Sequence, residues 1–121
     1  MMRCTQSSIV AILALFLLIF PACSPRYTAP IVDARGVTLR IHAPAAKTVS
    51  IVGSFSRWDR ERDRLNGPDK DGWWSITLPL PDGRHEYLFL IDGRMWLTDP
   101  YAQATTDDGL GGRNSVLYVE R

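Results

Sequence analysis

The segment Arg84-His85-Glu86-Tyr87-Leu88-Phe89-Leu90-Ile91-Asp92-Gly93 carries the clearest information about the fold. Successive side chains of a β-strand point to opposite faces of its sheet. One face would hold His85, Tyr87, Phe89 and Ile91, and the other would hold Arg84, Glu86, Leu88 and Leu90. The first set predicts a core-facing side. Because Asp-Gly is a strong hairpin signal, the chain is predicted to reverse at residues 92–93.

Similar short apolar stretches occur on both sides of this segment. They predict further strands near residues 37–43, 48–53, 74–78, 95–98 and 115–120. Turn-forming residues separate them, and long loops are predicted over 57–71 and 99–113. No segment has a sustained helical period, and no internal repeat is present. About six short strands with frequent turns predict an all-β protein, a β-sandwich of the immunoglobulin-like kind.

The N-terminus resembles a secretory signal peptide. Arg3 supplies a positive charge, residues 9–20 are continuously apolar, and the small residue Ala22 precedes Cys23. The apolar run is shorter than the roughly 20 residues that span a bilayer. A cysteine in this place resembles the bacterial lipobox, in which that cysteine becomes the lipidated first residue. An ordinary cleaved signal or an uncleaved anchor is the alternative.

We therefore expect a signal peptide of the lipoprotein type at 1–22, a tether at 23–35 and a sandwich at 36–121. Ser24 behind Cys23 resembles lipoproteins sorted to the outer membrane of Gram-negative bacteria, so the expected location is the cell envelope, facing the periplasm.

Charge and cysteine content exclude several classes of partner. The chain has 14 Lys+Arg and 13 Asp+Glu; cleavage before Cys23 removes Arg3 and leaves the two signs equal. This balance argues against nucleic acid and against a polybasic membrane patch. Cys23 would be the single cysteine left, so a disulfide within one chain and a cysteine-based metal site are both excluded.

Three motifs combine aromatic side chains with turns and polar groups. They are Gly53-Ser54-Phe55-Ser56-Arg57-Trp58-Asp59, then the segment from His85 to Trp96, then Asp99-Pro100 followed by Gly109-Leu110-Gly111-Gly112-Arg113-Asn114-Ser115. Sugars present apolar C–H faces that stack on aromatic rings, and hydroxyls that need hydrogen-bond partners. The motifs therefore indicate a carbohydrate-binding surface.

The order and spacing of these motifs resemble carbohydrate-binding module family 48. This family includes the glycogen-binding module of AMP-activated kinase β subunits and the early-set domain that precedes the barrel of isoamylases and branching enzymes. The resemblance covers about residues 37–119. It implies an early-set, immunoglobulin-like sandwich that binds α-1,4-linked glucan without a cofactor, a metal or catalysis of its own.

The resemblance also implies roles for four residues. Trp58 and Trp96 would stack on glucose rings, Leu110 would make an apolar contact, and Asn114 would bond sugar hydroxyls. Three of the four have a plainer interpretation from the residues alone. Trp58 and Trp96 could be structural, with Trp58 folded back over the sandwich edge, and Asn114 could be a turn residue that bonds its own backbone.

Leu88 departs from the family pattern, because a sugar-facing lysine stands at that position in the kinase module. Arg84 or Arg94 could replace the lost donor. Of the adjacent tryptophans, Trp74 is expected in the core, whereas Trp73 points outward and has no assigned role.

Signals for other functions are weak. Most acidic residues that could form a catalytic pair lie in turn contexts, and motifs for a serine hydrolase, a phosphate loop or a zinc protease are absent. Residues 69–72 only faintly resemble a calcium loop. The alternative function is an envelope protein–protein interaction module that keeps the fold without sugar binding.

Overall fold

A computed structural model describes residues 29–121 of the chain. The predicted signal peptide and residues 23–28 of the predicted tether, which include Cys23, lie outside the described residues. The strands are β1 (Ile31–Asp33), β2 (Gly36–His42), β3 (Val49–Gly53), β4 (Asp63–Arg64), β5 (Trp73–Leu78), β6 (Gly83–Ile91), β7 (Met95–Leu97), β8 (Ala104–Asp107) and β9 (Arg113–Val119). A short 3₁₀ turn covers Ser54–Ser56.

The strands form two antiparallel sheets. The smaller sheet has the order β1-β2-β5; the larger has the order β4-β3-β6-β9-β8, with β7 paired to the far end of β6. One hydrophobic cluster contains residues of both sheets, including Val37, Leu39, Ile51, Phe89 and Leu117. The predicted all-β sandwich is thereby confirmed. Within the described part of the chain, no helix is long and apolar enough to cross a membrane.

Strand β6 has the predicted two faces. His85, Tyr87, Phe89 and Ile91 are buried, and the rings of Tyr87 and Phe89 meet edge to face at 5.9 Å. Trp74 is in the core as expected, where its indole N–H donates to the Ala43 carbonyl at 2.9 Å. These positions agree with the period of two because the side chains of one face all point into the space between the sheets.

The structure differs from the sequence-based expectation at three short strands. Residues 31–33, assigned above to the tether, form β1 at the edge of β2. Residues 104–107, assigned to a loop, form β8 beside β9. Residues 63–64, also assigned to a loop, form β4 beside β3. β1 and β8 each pair with the strand that follows them after a short turn, whereas β4 pairs with β3 across an intervening loop. With two to four residues each, they are too short to show a clear apolar alternation.

Candidate functional site

The outer face of the larger sheet carries an open groove of about 490 Å³. Its lining residues are Trp58, Arg60, Leu88, Trp96, Asp108, Leu110 and Asn114. The structure thus brings together all four residues predicted from the sequence. Trp58 and Trp96 are respectively 40% and 44% exposed, so both indoles have surface available to a ligand.

Gly53 allows the segment that carries Trp58 to lie close against β6. A Cβ atom at this position would lie 2.4 Å from the Glu86 carbonyl oxygen. Ser54 reinforces the contact, since its hydroxyl accepts a hydrogen bond from the Glu86 backbone N–H at 3.0 Å. Phe55 is half-buried and packs against the core. The motif therefore attaches the chain to the sheet immediately before Trp58.

Trp58 itself has an unusual backbone conformation. Arg57 and Trp58 both have positive φ angles, 53° and 60°, in the left-handed region that bulky residues rarely adopt. The Trp58 N–H donates to the Gly53 carbonyl at 2.9 Å and closes the turn. Strained backbone of this kind often occurs at ligand-binding sites, where it holds a side chain in place. Here it directs the indole outward.

Trp96 is positioned by the hairpin between β6 and β7. Asp92 and Gly93 both have positive φ angles, and the Arg94 N–H closes the turn by donating to the Ile91 carbonyl at 3.0 Å. Strand pairing resumes at Met95, opposite Ile91. Trp96 pairs with Leu90 of β6 and so shares the outer face with Leu88. The Asp92 carboxylate accepts bonds from the N–H groups of Thr48 and Lys47. These bonds lower the pKa of Asp92 and tie the hairpin turn to the start of β3.

Arg60 is a groove residue that the sequence analysis missed. Its guanidinium carbon lies 5.5 Å from the centre of the Trp96 ring, within the range of a cation–π contact. One guanidinium nitrogen also donates to the Gly93 carbonyl at 2.9 Å. Sequence offers no signal for this contact, because Arg60 lies in a charged loop far along the chain from Trp96.

Neither arginine proposed from the sequence lines the groove. Arg84 forms an ion pair with Glu86 at 3.0 Å, and Arg94 is exposed within the hairpin. Leu88 does line the groove, and it is half-buried. Arg60 is therefore the groove residue whose side chain can supply the cationic hydrogen-bond donor that a lysine at position 88 would provide.

The third motif forms the loop between β8 and β9. The Asp108 carboxylate accepts hydrogen bonds from the N–H groups of Leu110 and Gly112, which orders the loop. Leu110 projects from it and is 92% exposed. Asn114 is the second residue of β9, where its amide nitrogen lies 3.5 Å from a Glu86 carboxylate oxygen. Its side chain thus makes a contact across strands rather than with its own backbone.

A metal site requires several ligand side chains that lie close together. No group of three or more potential ligands is present among residues 29–121. The Asp69 carboxylate accepts the N–H groups of Asp71 and Trp73, so the segment that faintly resembles a calcium loop is organised as a turn.

Comparison with protein families gives one match, over residues 25–102, to carbohydrate-binding module 48, the isoamylase N-terminal domain. The chain belongs to this family. The match includes Trp58, Leu88 and Trp96 and ends before the loop that holds Leu110 and Asn114. Family 48 membership makes this a carbohydrate-binding type of module.

Curated relatives show the same relationship. The 1,4-alpha-glucan branching enzyme GlgB of Bacillus cereus strain AH820 is 34% identical over 74 residues, which cover 58% of this chain and 12% of that enzyme. The GlgB proteins of Bacillus cereus strain Q1 and Bacillus anthracis strain CDC 684 are 36% and 34% identical over the same lengths. The matched segment of this family 48 chain therefore spans about an eighth of these enzymes.

Proposed function

We propose that this chain is a non-catalytic module that binds α-1,4-glucan, such as glycogen, starch or a maltooligosaccharide, in the groove. The observation that carries the proposal is the placement of two half-exposed indoles, Trp58 and Trp96, around one open groove. Family membership and the similarity to 1,4-alpha-glucan branching enzymes support it.

Binding would combine stacking with hydrogen bonding. The apolar faces of glucose rings stack on Trp58 and Trp96, while the Asn114 amide and the Arg60 guanidinium meet sugar hydroxyls. Leu110 and Leu88 add apolar contacts. Since the groove is open to solvent and few groups contact each sugar, a dissociation constant of roughly micromolar to millimolar is expected.

The groove has little that could catalyse glycoside hydrolysis or transfer. Such chemistry generally requires a pair of carboxylates on either side of the bond. Among residues 29–121, Asp108 is the single acidic residue in the groove lining, and its carboxylate already accepts loop N–H groups. The proposal therefore assigns recognition rather than catalysis to this chain.

We further propose that the module is a bacterial envelope lipoprotein that is anchored through lipid on Cys23. The favoured location is the outer membrane, with the module facing the periplasm. Its support is the arrangement of a basic residue, an apolar run and Ala22-Cys23. The glucan would then be an oligosaccharide or polysaccharide that reaches the envelope.

Glucan pull-down tests the binding proposal. A soluble form of residues 24–121 is incubated with insoluble amylose and, separately, with immobilised glycogen. Trp58→Ala and Trp96→Ala should each lower binding about five- to thirtyfold, because each removes a stacking platform worth about 1–2 kcal/mol. Trp73→Ala is the matched control, since Trp73 lies on the smaller sheet, where it packs against Arg40 and His42.

Thermal unfolding of each variant separates loss of binding from loss of fold. If the folded wild-type protein binds neither amylose nor glycogen, the proposal is wrong. The second candidate function, an envelope protein-interaction module, is favoured in that event by the exposed apolar side chains of Met95, Leu97 and Leu110, which suit a protein contact.

A further inference from the structure

A second, smaller depression adjoins the groove. It has a volume of about 330 Å³ and is lined by residues that include Thr48, Ser50, Glu61 and Arg64. Arg60 lines both the depression and the groove. Because its guanidinium is held by the Gly93 carbonyl and the Trp96 ring, Arg60 forms a fixed boundary that the two spaces share.

Strand register places the two spaces on one continuous surface. Arg64 of β4 pairs with Ser50 of β3, Ser50 pairs with Leu90 of β6, and Leu90 pairs with Trp96 of β7. Directly paired residues point to the same face of a sheet. Arg64, Ser50, Leu90 and Trp96 therefore form one row, which leads from the depression to an indole of the groove.

The lining of the depression indicates its ligand class. Thr48 and Ser50 offer hydroxyls, Arg60 and Arg64 offer N–H donors, and Glu61 offers a carboxylate acceptor. Donors and acceptors together suit a ligand rich in hydroxyls. Glu61 beside the two arginines disfavours an anionic ligand, since it offsets their positive charge.

From this geometry we infer that the depression is an additional sugar subsite. A glucan chain stacked on Trp96 continues past Arg60 into the depression, where the exposed side chains of Arg64 and Thr48 bond its hydroxyls. The inference rests on the proposed function and extends it: the module favours long α-glucan chains over short ones, and Arg64 contributes to that preference.

Calorimetric titration with maltotriose and maltoheptaose tests the subsite. The full chain is used in a detergent without a sugar headgroup, so that the detergent does not compete. Wild type should bind maltoheptaose more tightly. Arg64→Ala should weaken maltoheptaose binding about three- to tenfold, the effect of about one hydrogen bond, and leave maltotriose binding unchanged.

Arg35→Ala is the matched control, because Arg35 is an exposed arginine in the turn between β1 and β2. Arg64 is exposed on an edge strand of two residues, so its truncation should leave the fold intact, which thermal unfolding checks. Equal affinity of wild type for the two sugars overturns the subsite alone, provided that Trp96→Ala still weakens binding. An Arg64→Ala effect that is absent, or the same for both sugars, overturns it under the same condition. Failure of wild type to bind either sugar overturns the proposed function with it.

Discussion

At the scale of single residues, the groove combines strong stacking surfaces with few hydrogen-bond donors. Trp58 and Trp96 supply the aromatic faces, and Arg60 supplies a guanidinium that already bonds Gly93 and packs on Trp96. Leu88 lines the same groove, at the position where the resemblance to the kinase module leads one to expect a lysine. A leucine side chain can exclude water but cannot donate to a sugar hydroxyl.

Replacing this leucine with lysine should strengthen glucan binding. Leu88→Lys adds an ammonium donor inside the groove, and we expect the dissociation constant for maltoheptaose to fall about three- to tenfold. Calorimetric titration measures the change. Leu88→Met is the control, because methionine has a similar volume without a donor. Weaker binding by a folded Leu88→Lys would show that the groove needs an apolar side chain here.

At the scale of elements, strand β6 supports the groove from beneath. Leu88 faces the groove, and the neighbouring residue Tyr87 faces the core, where its hydroxyl donates to the Asp99 carboxylate at 2.6 Å. Asp99 is only 3% exposed, and its backbone N–H donates to the Ser115 hydroxyl of β9 at 2.8 Å. The segment after β7 is thus tied to both central strands.

Burial raises the pKa of Asp99, although hydrogen bonds from Tyr87 and the Tyr101 N–H act in the opposite direction. Desolvation likewise raises the pKa of Tyr87. A raised carboxyl pKa means that the folded state holds the Asp99 proton more tightly than the unfolded state does. The stability contributed by Asp99 is therefore fully present below its unfolded pKa, about 3.9, and is lost as pH rises through the folded value.

Asp99→Asn should remove this pH dependence. Asparagine retains an acceptor for the Tyr101 N–H but does not ionise. The melting temperature of the variant relative to wild type should therefore increase as pH rises from about 3 through the acidic range. Thermal unfolding followed by circular dichroism at several pH values measures the difference, with the exposed Asp107→Asn as a control. A difference that stays constant, or falls, across this range would contradict the assignment.

At the scale of the whole molecule, the groove and the N-terminal strand belong to different sheets. The groove lies on the outer face of the larger sheet, whereas β1 pairs with β2 at an edge of the smaller one. A chain anchored ahead of β1 would therefore be attached through the sheet that does not carry the groove, which leaves the indoles available to a large polysaccharide.

The proposed anchor makes a direct prediction about Cys23. In a Gram-negative host, the full-length wild type should incorporate labelled fatty acid and sediment with the membrane fraction. Cys23→Ala should lose both properties, since the thiol that accepts lipid is removed. Cys4→Ala, which changes the cysteine ahead of the proposed cleavage site, is the control and should behave as wild type does. Lipidation at this residue would be excluded if Cys23→Ala still incorporated the labelled fatty acid. It would also be excluded if the wild type stayed soluble and carried no label.

Much of the fold could be predicted from short-range patterns. The period of two along residues 84–91 predicted the buried face of β6, and Asp92-Gly93 predicted its hairpin. Trp58, Trp96, Leu110 and Asn114 were named through a family resemblance, and the structure places them around one groove. Their role in binding stays a prediction, as do the signal peptide and the lipid on Cys23, which lie outside the described residues.

The sequence by itself determined the fold class, because apolar alternation and turn chemistry are local properties of neighbouring residues. Only the tertiary structure decided where Arg60 lies, that β4 is a strand, and that a polar depression continues the groove. The reason is physical. Each of these features depends on hydrogen bonds, ring contacts or shared walls between residues distant along the chain, and these come together only when the two sheets have formed.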